Sequence, residues 1–141
     1  MAFNVLIVDD SSTMRGVIKR SIEMSGFDVG TFFEGSNGRE ALAILEKEWV
    51  DIILTDIHMP VMDGVSFLKE LEKSPLTSTT PVVIVTTEGR EHRLEEIISL
   101  GAKACIRKPF KPEEIRDILV RVLQTEEPSR VDKDGIEGSD F

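Results

Sequence analysis

Five side chains in this 141-residue sequence carry the groups needed to receive a phosphoryl group: Asp9, Asp10, Asp56, Thr86 and Lys108. Three carboxylates brought together suggest a divalent cation, because Mg²⁺ prefers a few hard oxygen ligands, water and a phosphate. The ion offsets their mutual repulsion; without it, a buried carboxylate among like charges tends to pick up a proton. A lysine and a hydroxyl added to such a cluster turn a cation site into an acceptor site. Transfer to an aspartate needs the carboxylate ionised, in line with the donor and spared repulsion from the donor's oxygens. The transition state is loose and spreads charge over three equatorial oxygens, so catalysis is mostly positioning and charge stabilisation. The cation takes one oxygen, Lys108 a second, and the Thr86 hydroxyl with nearby backbone N–H groups the third.

Each of these residues follows a predicted strand: Asp9-Asp10 after NVLIV, Asp56 after DIILT, Thr86 after VVIV and Lys108-Pro109 after ACIR. Residues 4–8, 50–55 and 81–85 are short apolar runs rich in Val and Ile, as expected of parallel strands covered on both faces. Between them, Met14, Val17, Ile18 and Ile22, then Ala41, Ile44 and Leu45, then Val65, Leu68 and Leu71 recur at helical spacing. Gly26 stops the first helix, a second strand falls near Asp28 to Phe33, and Gly35-Ser36-Asn37-Gly38 opens the next helix. Pro112 sits in the first turn of the last helix, whose apolar face is Ile115, Ile118, Leu119, Val122 and Leu123. The expected fold is α/β: a doubly wound five-stranded parallel sheet with five helices, flavodoxin-like, in strand order 2-1-3-4-5, which keeps the crossovers right-handed. The carboxyl ends of all strands then open on one edge. Asp10 and Asp56 end the first and third strands, neighbours in that order, where their carboxylates can share one cation.

Length fits a single domain, expected over residues 1–125, with 126–141 as a flexible acidic tail. The segment EEPSRVDKDGIEGSDF holds six acids and two bases with little apolar content. A composition of 40% hydrophobic and 30% charged residues is that of a soluble globular chain. A net charge of −9 argues against binding nucleic acid, which needs clustered Lys and Arg. No apolar run has the length of a membrane span. The start, MAFNVLIVDD, lacks a basic n-region and cleavage site, and Cys105 has no second cysteine to pair with, so a cytoplasmic location is expected.

The segments VDDSSTMR, DIHMPVMDG, VTTEG and the closing KPF give the chain a close resemblance, from about Phe3 to Leu123, to the receiver domain of two-component response regulators, especially the stand-alone chemotaxis (CheY-type) regulators. The resemblance implies Asp56 as phospho-acceptor and Asp9 and Asp10 as the acidic pair, with Asp10 a direct metal ligand. It implies the backbone carbonyl of His58 as a further ligand, so the imidazole need not touch the metal. Mg²⁺ is the implied ion, with Mn²⁺ as a substitute. Spacing to Lys108 picks out Thr86, rather than Thr87, as the family's switch hydroxyl, which drags the loop Thr87-Glu88-Gly89-Arg90 and reads out on the face of the fourth helix, fifth strand and fifth helix. The family's cis bond before proline falls at Lys108-Pro109, and Asp63-Gly64 fits the turn opening the third helix, where glycine allows a backbone other residues resist.

These assignments imply a signalling protein that catalyses its own Mg-dependent phosphorylation and dephosphorylation, with Asp56, Thr86 and Lys108 as the catalytic groups. The implied partners are a CheA-like histidine kinase and a downstream target such as a flagellar switch component, with no nucleic acid and no membrane. A phosphorelay intermediate or a single-domain regulator of another pathway is the alternative. An aspartate-nucleophile phosphatase fits less well, since Asp56-Ile57-His58 lacks the second acid of the Asp-x-Asp pattern. A scaffold with no switch has no physical need for all five site residues. Two positions depart from the family. Cys105 stands where chemotaxis regulators carry an aromatic rotor, shifting the weight of the output onto backbone motion in the 86–90 loop. The only tryptophan, Trp49, lies near the end of the second helix, while Ile57 follows the acceptor. Trp49 emission is therefore expected to stay nearly unchanged in a beryllofluoride titration with Mg²⁺, with binding followed independently by NMR; strong quenching on binding contradicts this placement.

Overall fold

Val, Ile and Leu supply half of the strand residues, and alternation along the central strands divides them between two cores. The structure is a computed structural model and describes residues 2–123. Its elements alternate throughout: β1 (Phe3–Val8), α1 (Ser12–Ser25), β2 (Val29–Gly35), α2 (Gly38–Lys47), β3 (Ile52–Thr55), α3 (Gly64–Glu72), β4 (Val82–Thr86), α4 (Glu91–Ser99), β5 (Ala104–Arg107) and α5 (Pro112–Leu123). All strand pairs are parallel, in the order β2-β1-β3-β4-β5. This is the doubly wound, flavodoxin-like sheet that the sequence predicts. The expected tail, 126–141, lies outside the described residues. Among the described residues, no helix is long and apolar enough to cross a membrane.

Val5, Ile7, Ile52, Leu54, Val83 and Val85 face one way, onto Ile18 and Ile22 of α1 and Ile115 and Leu119 of α5. Leu6, Val8, Ile53 and Ile84 face the other way, onto Ala41, Phe67, Leu68 and Ile97 of α2, α3 and α4. That is the period of two expected of a pleated strand buried on both sides. The central strands β1, β3 and β4 are the most apolar because both of their faces are covered. The carboxyl ends of β1 and β3 are held in register by the Asp56 N–H, which donates to the Val8 carbonyl at 3.0 Å.

Helix ends follow local rules. Ser11, Asn37 and Asp63 each cap a helix, their side chains accepting from the N–H groups of Met14, Glu40 and Ser66. Gly26 ends α1 in the left-handed conformation, φ 82°. The loop that leaves β3 carries a tight turn in which the Met62 N–H donates to the Pro60 carbonyl at 2.7 Å across Val61, whose φ is 67°. That conformation is rare for a β-branched residue and costs roughly 1–3 kcal/mol. It aims the Met62 carbonyl at the Gly38 N–H, 3.0 Å away, tying the loop to the first turn of α2.

Gly64 differs from the expectation in its reason. Its backbone is not left-handed; a side chain is excluded by contact instead. A Cβ there would lie 2.5 Å from the Asp56 carbonyl oxygen and 2.8 Å from the Ile57 Cα. The start of α3 is packed directly against the backbone that bears Asp56. Gly64→Ala is therefore expected to destabilise the protein by about 2 kcal/mol through overpacking, read as a lower midpoint in urea unfolding; an unchanged midpoint means the loop yields without cost.

Candidate active site

At the carboxyl edge of the sheet, the Lys108 ammonium lies between two carboxylates. Its Nζ donates to Asp9 Oδ2 at 3.0 Å and to Asp56 Oδ2 at 3.2 Å. The side chains of Lys108, Asp9 and Asp56 are only 10%, 3% and 14% exposed. The ends of β1, β3 and β5 thus deliver three charges to one partly desolvated point. Burial is the largest influence on the Lys108 pKa and pulls it down. The hydrogen bond to Asp9 and the charges of Asp56 and Asp9 together outweigh it, leaving the pKa above its ordinary value. Lys108 is consequently a fixed cation near neutral pH and a donor, not a base. The peptide bond from Lys108 to Pro109 is cis, as expected from the resemblance.

The remaining bonds orient the acids. Asp56 Oδ1 accepts from the Ile57 N–H at 2.7 Å, and Asp9 Oδ1 accepts from the Ser11 N–H at 2.9 Å. Asp10, next along, is exposed. Asp9 and Asp56 are brought together through Lys108, whereas Asp10 stands apart: among the described residues no three acidic, imidazole or thiol groups are gathered closely enough to hold a metal ion. The donor chemistry nevertheless suits a hard cation, being all oxygen, and the Asp9 and Asp56 pair already accepts a positive charge between its members.

Thr86 ends β4 fully buried, and Thr87 is exposed. The Thr86 Oγ1 accepts from the Glu88 N–H at 3.2 Å. His58 is exposed, and its imidazole lies beside Glu88, with Nε2 3.7 Å from Oε1. Cys105 is half-buried against the core on the α4 side, and burial raises the pKa of its thiol.

Two arginines join the site that the functional reading of the sequence does not single out. Arg15 reaches back from α1 to donate to the Asp9 carbonyl at 2.6 Å and to Glu34 at 2.9 Å, bracing the acidic turn against β2. Arg90 grips Glu88 by its guanidinium, Nε to Oε2 at 2.7 Å and Nη2 to Oε1 at 2.9 Å. The available signal is spacing: an acid and an arginine on either side of Gly89, and an arginine one turn into the helix after the acidic pair. Side-chain hydrogen bonds from Arg90 are the main cause that lowers the Glu88 pKa from 4.5 to about 2. A carboxyl depressed on folding contributes stability that is complete above its unfolded value and is lost as pH falls through its folded one. The Glu88 contribution is thus expected to fade between about pH 4.5 and 2. A carbon-detected NMR titration should place the Glu88 midpoint near 2 and return it toward 4.5 in Arg90→Ala; a midpoint near 4.5 in the parent protein refutes the clamp.

Residues 5–120 match the Response regulator receiver domain family. A chemotaxis protein CheY homolog of Campylobacter jejuni (strain 81-176) is 36% identical over 122 residues, 86% of this chain and 92% of that protein. Among solved structures, chemotaxis response regulator CheY4 of Vibrio cholerae superposes with a TM-score of 0.75 at 35% identity, covering 86% of this chain and 99% of that one. The receiver domain of a Pseudomonas aeruginosa PAO1 sensor histidine kinase, solved with a magnesium ion coordinated in its active-site cleft, superposes with a TM-score of 0.75 at 26% identity, covering 89% and 100%. With acids, a hydroxyl and a lysine at the carboxyl ends of β1, β3, β4 and β5 of a five-stranded parallel sheet, the chain belongs to the response regulator receiver domain family.

Proposed function

We propose that this chain is a phosphorylation-activated response regulator that accepts a phosphoryl group on Asp56 from a histidine kinase and signals by protein contact, in the control of motility. The observation that carries the reading is the Lys108 ammonium held between Asp9 and Asp56. It places a cation beside the Asp56 carboxylate, where the transferred group would carry its charge. In the transfer step, an Asp56 oxygen forms a bond to phosphorus as the bond from phosphorus to the donor nitrogen or acyl oxygen breaks. Lys108 keeps its proton and shifts a hydrogen bond to one phosphoryl oxygen, and the Thr86 hydroxyl turns to another. In hydrolysis, water attacks phosphorus and the bond to Asp56 breaks, restoring the carboxylate and releasing inorganic phosphate.

The all-oxygen donors suit a divalent ion, Mg²⁺ or Mn²⁺, which the carboxylates of Asp9, Asp56 and, once turned inward, Asp10 would hold with the carbonyl of His58. When bound, the ion supplies neutralising charge and one contact to the phosphoryl group. The magnesium coordinated in the Pseudomonas relative supports this assignment. The Campylobacter and Vibrio relatives, both described as chemotaxis proteins, support motility as the pathway, with a CheA-like kinase upstream and a flagellar switch component downstream. Location in the cytoplasm follows from those partners. A move from about 1:99 to 99:1 between two states takes roughly 5.5 kcal/mol. New hydrogen bonds from Lys108 and Thr86 supply part of this, and a target that prefers the switched form supplies the rest. His92, Arg93 and Arg107, on α4 and β5, are the proposed contacts for that target.

Intact mass after incubation with acetyl phosphate and Mg²⁺ is the direct test. A single phosphoryl adduct is expected that disappears in Asp56→Asn and without metal. Failure to form the adduct, together with failure to bind beryllofluoride, removes the phosphoryl switch and leaves a receiver fold used as a scaffold.

A further inference from the structure

The β4 to α4 connection closes on itself through one carboxylate. Glu88 Oε2 accepts from both the backbone N–H and the Nε of Arg90, each within 2.9 Å, while Oε1 accepts from Arg90 Nη2. The Glu88 side chain is only 6% exposed, whereas that of Arg90 is 64% exposed. Arg90 is the N-cap of α4 and makes no side-chain cap bond of its own, so its N–H is satisfied by Glu88. The Glu88 backbone N–H, in turn, holds the Thr86 hydroxyl oxygen at 3.2 Å. On its far side, Glu88 Oε1 lies 3.7 Å from the His58 Nε2, in the loop that bears Asp56. One residue is therefore connected to the switch hydroxyl, to the start of α4 and to the acceptor loop.

For Thr86 to follow a phosphoryl oxygen, its side chain must rotate away from the Glu88 N–H. Glu88 would have to move with it or give up that bond. The clamp resists this movement, since a bidentate guanidinium contact fixes orientation as well as distance. Gly89, between the clamped residues, is the one joint the ring contains. We propose that Arg90 is a positioning residue of the phosphoryl switch: by clamping Glu88 it holds the Thr86 hydroxyl in the orientation seen here and opposes activation. The proposal rests on the phosphoryl-switch reading above, but concerns the energy of switching and not the chemistry at Asp56. It also supplies a mechanical route to α4 in a chain whose Cys105 cannot act as an aromatic rotor, because release of Glu88 frees the N-cap residue of that helix.

The test is a beryllofluoride titration with Mg²⁺, followed by amide NMR, on the full chain and its variants. Arg90→Ala is expected to bind about threefold to fivefold more tightly than the parent, the upper part of the range for an ion pair with one exposed partner. Arg90→Lys, which keeps the charge but loses the fork, should fall between them. In a Thr86→Ala background, Arg90→Ala should produce no gain, because there is no hydroxyl left to hold; a merely structural role for Arg90 would act regardless of Thr86. Unchanged or weaker binding by Arg90→Ala, or an equal gain without Thr86, overturns the proposal. If Arg90→Ala does not fold, Glu88→Gln takes its place with the same expected gain and the same overturning results. Failure of the parent protein to bind beryllofluoride overturns the phosphoryl reading and this proposal with it, whereas parent binding with an unaltered variant overturns this proposal alone.

Discussion

The contact of one lysine with two carboxylates governs the arrangement of the whole carboxyl edge of the sheet. Asp9 and Asp56 are too little exposed for water to neutralise them, and two like charges in such a place repel. Lys108 reconciles them, but only if β1, β3 and β5 all end at the same height. Parallel pairing achieves that alignment, and the two apolar cores hold it by covering both faces of the sheet. The partners Asp9 and Lys108 are separated by 99 positions, so the site exists only when the last strand has joined the sheet. Its chemistry is a property of the completed fold.

The same contact makes the site responsive. A charge that compensates two acids can be shared with an arriving cation and anion without being rebuilt, because Lys108 has three N–H donors and Asp9 and Asp56 have further lone pairs. The loops around it are less free. The acceptor loop is pressed onto α3 at Gly64 and tied to α2 through Met62, while the Thr86 loop is closed by Glu88 and Arg90. The lysine adapts within a frame that is rigid on the Asp56 side and jointed on the Thr86 side, which gives displacement a preferred direction, toward α4.

Much of the fold was legible because the relevant signals are local and strong. Continuous Val and Ile runs mark strands covered on both faces, and Gly26, Asn37 and Pro112 mark helix ends by conformational rules that need no tertiary contact. The convergence of Asp9, Asp56 and Lys108 was legible through topology, since parallel strands deliver their ends to one edge. What escaped was the angular detail. Spacing is the one local signal for Arg15 and Arg90, and it is shared by many solvated arginines, as their roles come from side-chain reach across a turn. Gly64 was identifiable as a special position, but its reason lies in the approach of another segment's carbonyl. Asp10 and Asp9 are adjacent in sequence, yet one is exposed and the other is buried, a difference that arises beyond the end of β1, where Lys108 and the Ser11 N–H hold Asp9.

The edge strand β5 has a consequence for the protein as a solute. It is four residues long, with one side of its ladder paired to β4 and the other, among the described residues, open. An open ladder is a template on which another chain can add a strand. Here the exposed Arg107 ends the strand and Lys103 precedes it, placing cations at both limits of a row too short to nucleate a long pairing. Under the proposed function a partner would read this neighbourhood, and brevity and charge disfavour strand addition without covering the edge.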